Sequence, residues 1–140
     1  VSEAVLKRVS YTERRVKRRN GFEVVQVCHF YPFTYSQRPE LSAACPWSEL
    51  VLLAESLGER GVKGRSLRVS EGVYKRLLVY AAVRQTLRSR ARARELEEVV
   101  KGLDEYELHF WYSKLLEAAE RGRRALFRPA RAFKVLHRLD

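Results

Sequence analysis

The residues with the greatest chemical reach in this chain are its arginines, and they fall into three groups. The first is Arg121, Arg123, Arg124, Arg128, Arg131, Lys134 and Arg138, seven cations with no acid between positions 121 and 139. A guanidinium is a planar fork of donors that matches phosphate oxygens, so a cluster of this kind suits a phosphate backbone. On a final helix opened by Pro129, Arg131, Lys134 and Arg138 share one face. Ala130, Phe133 and Leu136 take the opposite, inward face, while the other four arginines feed in from a turn around Gly122. The positive N-terminal end of such a helix adds to the attraction for anions.

The second group is Arg84, Arg88, Arg90, Arg92 and Arg94. Arg84, Arg88 and Arg92 recur every four residues, which on one continuous helix makes a ridge able to follow a backbone. Arg84 differs from the rest because it falls inside the apolar stripe of Val73, Leu77, Tyr80 and Leu87. It must either meet a buried acid or mark where the helix leaves the core. The third group is Arg14, Arg15, Lys17, Arg18 and Arg19. Each group has a plainer reading as a solvated face or half of an internal ion-pair network. The stretch 95–107, with six acids and one lysine, is the main competitor for the 121–138 block.

Other chemistry is sparse. Nothing matches a P-loop, a dinucleotide fingerprint, a nucleophile elbow or a paired CxxC. Cys28, His29, Cys45 and His109 lack a recognised ligand spacing, so no metal or other cofactor is expected. Glu13 on a helix followed by Gly21-Phe22-Glu23-Val24-Val25 on a strand superficially resembles the opening of PD-(D/E)xK nucleases. The downstream carboxylates and Glu-x-Lys that would hold the ion are missing. Metal-free RNA cleavage by His29 or His109 stays open, and the favoured reading is no catalysis. His29, Phe30, Tyr31, Phe33 and Tyr35 could stack on unpaired bases, although strand aromatics more often fill a core. Trp47, Trp111 and Tyr112 read as core or interface.

The chain that must position these groups has 140 residues and a formal net charge of +11, with 46% hydrophobic residues. It can bury a core and is not a disordered tail. The charge is uneven: residues 1–58 carry 8 basic and 6 acidic side chains, and residues 59–140 carry 20 and 11. No apolar run is long enough to span a bilayer, so a cytoplasmic protein without a membrane partner is expected. Arginine outnumbers lysine 21 to 7, which hints at a GC-rich, thermophilic source. Two cysteines make no disulfide framework, and two reduced thiols are expected, with a single disulfide only in an oxidising or hyperthermophilic setting.

The expected fold class is α+β and mainly helical, with a small strand-containing part ahead of a C-terminal helical bundle. Residues 2–19 favour a helix capped by Ser2; the rival is a hairpin turning at Asn20-Gly21 and pairing 12–19 with 22–29. Residues 22–31 are the clearest strand, apolar enough to suggest cover on both faces. Its partners are sought in 11–18, 33–36 and 65–69. A helix over 46–57, entered at Pro46, completes a first part (1–58). The glycine-rich connector 58–66 leads to a bundle (67–140), the two forming one compact unit. Ser70 caps a long helix, and apolar spacing carries a helix through Gly102, so that 103–119 is apolar on two faces and central. The functional expectation is a protein that binds DNA or RNA through phosphates. The alternative is a scaffold subunit of a nucleic-acid-processing complex, using 103–119 for a homodimer or protein partner.

Overall fold

The computed structural model describes residues 6–31, 45–60 and 64–139. The elements run β1 (Lys7–Arg18), β2 (Gly21–Phe30), α1 (Trp47–Ser56), β3 (Ser66–Val69), α2 (Glu71–Arg84), α3 (Arg90–Lys101), α4 (Glu105–Arg121) and α5 (Arg123–Leu136). The fold is α+β and mainly helical. The expected strand at 33–36, the loop over 37–44 and the middle of the 58–66 connector lie outside the described residues, as does the Ser2 cap.

The expected N-terminal helix is replaced by the hairpin. β1 pairs antiparallel with β2 from Val9↔Phe30 to Arg18↔Gly21, and its other edge takes β3 from Lys7↔Val69 to Ser10↔Ser66. Arginine and lysine favour a helix by only a few tenths of a kcal/mol per residue (roughly). Pairing satisfies the backbone of β2, which cannot satisfy itself, and that nonlocal gain wins. The turn lies over Arg19–Asn20 rather than Asn20–Gly21, and Gly21 takes φ +124°, a conformation that favours glycine.

With strand order β2-β1-β3, β2 lies at the end of the sheet rather than in its middle. Cover on both faces holds only at the core end of the strand, where Val27 is buried on the face opposite Cys28 and Phe30. Cys28 and Phe30 are buried, whereas Phe22 is 64% and Val24 59% exposed where the strand runs past the core. Val9, Phe30, Leu67 and Val69 join Leu50 and Leu53 of α1, Tyr74 and Leu77 of α2, Trp111 and Leu115 of α4 and Phe133 of α5 in one continuous core.

The central helix is α2, not the 103–119 segment. Val73, Tyr74 and every residue from Leu77 to Val83 are buried, and α2 packs against α1, α3, α4, α5 and β1. The helix expected to pass through Gly102 ends there. Asp104 begins a new one, its carboxylate accepting from the Glu107 N–H at 2.7 Å. That restart leaves Tyr106 82% and Phe110 44% exposed, while Leu108, Trp111, Leu115 and Ala119 face the core.

Pro129 does not open the last helix; it sits inside α5, which starts at Arg123 immediately after Gly122. Leu126, Ala130 and Phe133 are buried, and Leu136, expected inward, is exposed. Arg138 lies past the helix at φ +57°. Its N–H donates to Val135 O and the Leu139 N–H to Lys134 O, with Leu139 buried. These are the paired bonds of a Schellman cap, here with arginine where glycine is usual.

Cys28 and Cys45 are joined by a disulfide, against the expectation of two free thiols. It ties β2 to the entrance of α1. Cysteines 17 apart in sequence are brought within reach by packing, which no local pattern encodes.

Candidate nucleic-acid interface

The third arginine group lies on an arm. Beyond the Thr12↔Val27 pair, six further cross-strand pairs carry the hairpin outward by about 20 Å at ~3.4 Å per residue. No residue from Thr12 to Gln26 is buried. Cross-strand partners share a face and successive residues alternate. One face of the arm therefore carries Arg15 and Lys17 beside Val24 and Phe22. The other carries Arg14 and Arg18 beside Val25 and Gly21.

Five cations meet two carboxylates on this arm. Arg18 pairs with Glu23 at 2.8 Å, both side chains more than half exposed. Glu13 is taken by Arg65 at 3.2 Å. The Arg15 guanidinium lies 4.6 Å from the Phe22 ring centroid, which orders the side chain without neutralising it. Arg14, Arg15 and Lys17 make no ion pair among the described residues.

The second group is dispersed, and the ridge through Arg84, Arg88 and Arg92 does not exist. α2 ends at Arg84, Arg88 lies between helices, and Ser89 starts α3 by accepting from the Arg92 N–H. Arg84 bonds Glu49 of α1 at 2.9 Å, so the acid required by its place in the apolar stripe is present. The Tyr80 hydroxyl donates to the same carboxylate, and burial together with Glu49 holds the phenol above its usual pKa. Arg92 pairs with Glu95 at 2.7 Å. A cleft of about 440 Å³ between α1, α2 and α3 mixes Arg84, Arg90 and Arg94 with Glu49 and Glu97.

In the first group, Arg128 and Arg131 project from the exposed side of α5, with Arg121 at the end of α4. Arg123 and Arg124 occupy the first turn of α5. Lys134 is half-buried, and Arg138, having left the helix, does not share their face. The feared neutralisation by 95–107 is limited by that segment's own bonding. Glu95 holds Arg92, Glu98 holds Lys101 at 3.3 Å, and Asp104 caps α4. Among the described residues, Arg121, Arg128 and Arg131 make no ion pair.

Between α4 and α5 runs a groove of about 500 Å³, lined by Trp111, Ala118, Ala125 and Pro129 together with the charged Lys114, Glu117, Arg121 and Arg128. Phe110 and Leu136 stand at its end. Pro129, inside α5, has no amide hydrogen to donate to the Ala125 carbonyl, so the helix ladder lacks one bond on this side.

The sequence also hid a cation with a purely structural task. Arg76, on α2, donates to Val100 O at 3.2 Å and Leu103 O at 2.6 Å, closing the C-terminal end of α3. Only the contact between α2 and α3 reveals it.

Catalytic and metal readings gain nothing from the geometry. Cys28 and Cys45 are bonded to each other, so neither is a thiolate ligand. Glu13 is on a strand rather than a helix. Among the described residues no group of three or more His, Cys, Asp or Glu side chains could hold a metal ion, and no helix is long and apolar enough to cross a membrane. His29 bonds Thr12 on the sheet at 3.0 Å, and His109 faces Ser113 on α4 at 3.4 Å. Phe30 belongs to the core, while Phe33 and Tyr35 lie outside the described residues. No protein-family model, curated protein or solved structure matches this chain.

Proposed function

We propose that this protein binds DNA or RNA through phosphate contacts, chiefly with the β1–β2 arm and secondly with Arg121, Arg128 and Arg131, and without catalysis of its own. The observation that carries the reading is the arm. A fold does not gain core by extending a strand pair past its last buried residue, nor stability by lining it with cations. A two-stranded ribbon has the width of a DNA major groove, and exposed arginines supply backbone affinity. A cytoplasmic setting and the disulfide are compatible in hyperthermophilic cells, which the arginine-rich composition fits.

The test is fluorescence anisotropy with labelled 20-nucleotide single strands and 20-base-pair duplexes (about two turns of duplex) over a salt series. Affinity is expected to fall steeply as salt rises. Replacing Arg14, Arg15, Lys17 and Arg18 together by Glu should weaken binding by about 100-fold or more while the melting temperature stays in place. Unchanged affinity in that variant removes the arm from the interface.

A second reading, a scaffold role, is favoured by exposed Tyr106 and Phe110 beside the α4–α5 groove. The acids Asp104, Glu105 and Glu107 crowd one end of α4, and Lys114, Arg121 and Arg128 line the groove toward the other, beside Glu117. Two copies packed with their α4 helices antiparallel would place each acidic end on the other's cations. Light scattering on the eluting protein checks this reading: a dimer that Tyr106→Glu plus Phe110→Glu converts to monomer supports it. A monomer at every concentration rules out the pairing.

A further inference from the structure

The cleft between α1, α2 and α3 takes one side from each helix. α3 contributes Arg90, Arg94 and Glu97 at spacings that share a side, and α2 contributes Tyr80 and Arg84, one turn apart. α1 closes the cleft with Glu49 and Leu52, the latter 61% exposed. The chain turns back between α2 and α3, and Arg76, early in α2, reaches Val100 and Leu103 at the far end of α3. The two helices are therefore antiparallel, with Arg84 level with Arg94 and Tyr80 level with Glu97. Burial and the Glu49 carboxylate, with Glu97 behind them, hold the Tyr80 phenol above its usual pKa. The cleft is graded: guanidiniums gather toward one end, and a phenol and a carboxylate stand at the other.

Folding explains only part of this arrangement. Glu49 is answered within the fold by Arg84 and by the Tyr80 hydroxyl. Arg90, Arg94 and Glu97 make no ion pair among the described residues, and both arginines are exposed. Like charges one turn apart weaken a helix, and Arg90 in the first turn of α3 opposes the helix dipole.

We propose that this cleft binds a nucleotide with a terminal phosphate, Arg90 and Arg94 holding the phosphate, Leu52 lying against the base and Glu97 accepting from the base's amino group. A terminal phosphate carries roughly two charges at neutral pH, so it can engage two guanidinium forks. Arg90 and Glu97 are separated by on the order of 10 Å along α3, which suits a phosphate at one end and a base edge at the other. The volume, about 440 Å³, is that of a small-ligand site. A carboxylate only accepts, so Glu97 selects a base whose edge carries an amino group rather than a carbonyl oxygen. The source is either a free mononucleotide or the phosphorylated end of a strand. The site is separate from the arm, which grips backbone phosphates.

The experiment is titration calorimetry at low salt on the full chain, with CMP, UMP, cytidine and inorganic phosphate. CMP is expected to bind about tenfold or more tighter than cytidine or inorganic phosphate. It should bind about fivefold tighter than UMP, which has a carbonyl oxygen in place of the amino group. Arg90→Glu plus Arg94→Glu should weaken CMP about 30-fold or more, while the melting temperature holds or rises because acids suit the start of a helix. Glu97→Ala should remove the preference for CMP over UMP. Replacing Arg14, Arg15, Lys17 and Arg18 together by Glu should leave CMP binding in place. In that arm variant, a strand of about 12 nucleotides beginning with cytidine is compared with and without a 5′-phosphate, by anisotropy. A gain of about tenfold or more from the phosphate assigns a strand end as the ligand, and CMP binding without that gain assigns a free nucleotide. Cytidine or inorganic phosphate binding as tightly as CMP overturns the site, as does any response that survives Arg90→Glu plus Arg94→Glu. CMP and UMP binding alike overturns the Glu97 contact. No CMP binding together with no gain from the 5′-phosphate also overturns the site, and the phosphate-backbone reading then stands or falls on the arm variant alone.

Discussion

The hairpin arm and the α2–α3 region are both rich in arginine, and the fold uses the two sets differently. In the helical region Arg76 closes the end of α3, Arg84 is held by Glu49, and Arg92 is held by Glu95. On the arm, Arg14, Arg15 and Lys17 stand exposed with no core beneath them. Counting cations does not distinguish the regions. What separates Arg76, Arg84 and Arg92 from Arg14, Arg15 and Lys17 is whether the fold supplies a partner. The division is not complete, since Arg88, Arg90 and Arg94 make no ion pair among the described residues and Arg18 on the arm holds Glu23. A cation answered within the molecule contributes to stability, and one left unanswered is available to a partner.

Perturbing the two regions should therefore separate folding from binding. The largest stability effect is expected at the disulfide that ties β2 to the entrance of α1. Cys28→Ser with Cys45→Ser should lower unfolding free energy by about 3 kcal/mol in chemical denaturation, from loop-closure entropy. Nucleic-acid affinity should persist wherever the variant remains folded. In the helical region, Arg76→Ala should cost about 2 kcal/mol, because it strips charged donors from two carbonyls at the end of α3. It should leave binding unchanged; a binding defect at full stability would blur the distinction.

Arg138→Gly should act in the opposite direction, raising stability by about 1 kcal/mol, since arginine there holds a left-handed backbone that glycine adopts freely. If affinity also falls, Arg138 contributes to the interface despite leaving the helix. The smallest effect concerns pH. Burial lowers the His29 pKa in the folded state, so protons bind preferentially to the unfolded chain. The associated stability is present above the unfolded value, near 6.5, and is lost as pH falls through the lowered folded value. Denaturation of wild type and His29→Gln between about pH 7.5 and pH 5 should show a smaller acid loss in the variant.

Several elements were legible because their signals are local. The β2 strand, the α1 helix after Pro46, the Ser70 start of α2 and the demand of Arg84 for an acid all follow from neighbouring residue types. The errors share a different cause. Residues 2–19 favour a helix locally because arginine and lysine are good helix formers, while pairing of Lys7–Arg18 to β2 and β3 decides the outcome. The Arg84–Arg88–Arg92 ridge assumed one helix where Ser89 begins another. Leu136 shares the expected inward face with Ala130 and Phe133, which are buried, but as the last residue of α5 it is exposed.

Composition and spacing by themselves determined that this chain is basic, mainly helical with a strand-bearing N-terminal part, and poor in catalytic motifs. Those properties are sums or short-range patterns, and they survive any arrangement of the elements. Only the tertiary structure decided which arginines face an acid, which face each other, and which face nothing. Charge pairing depends on residues such as Glu49 and Arg84, or Glu13 and Arg65, that are far apart in sequence. Their meeting is set by how the sheet and helices pack, and no local periodicity records it.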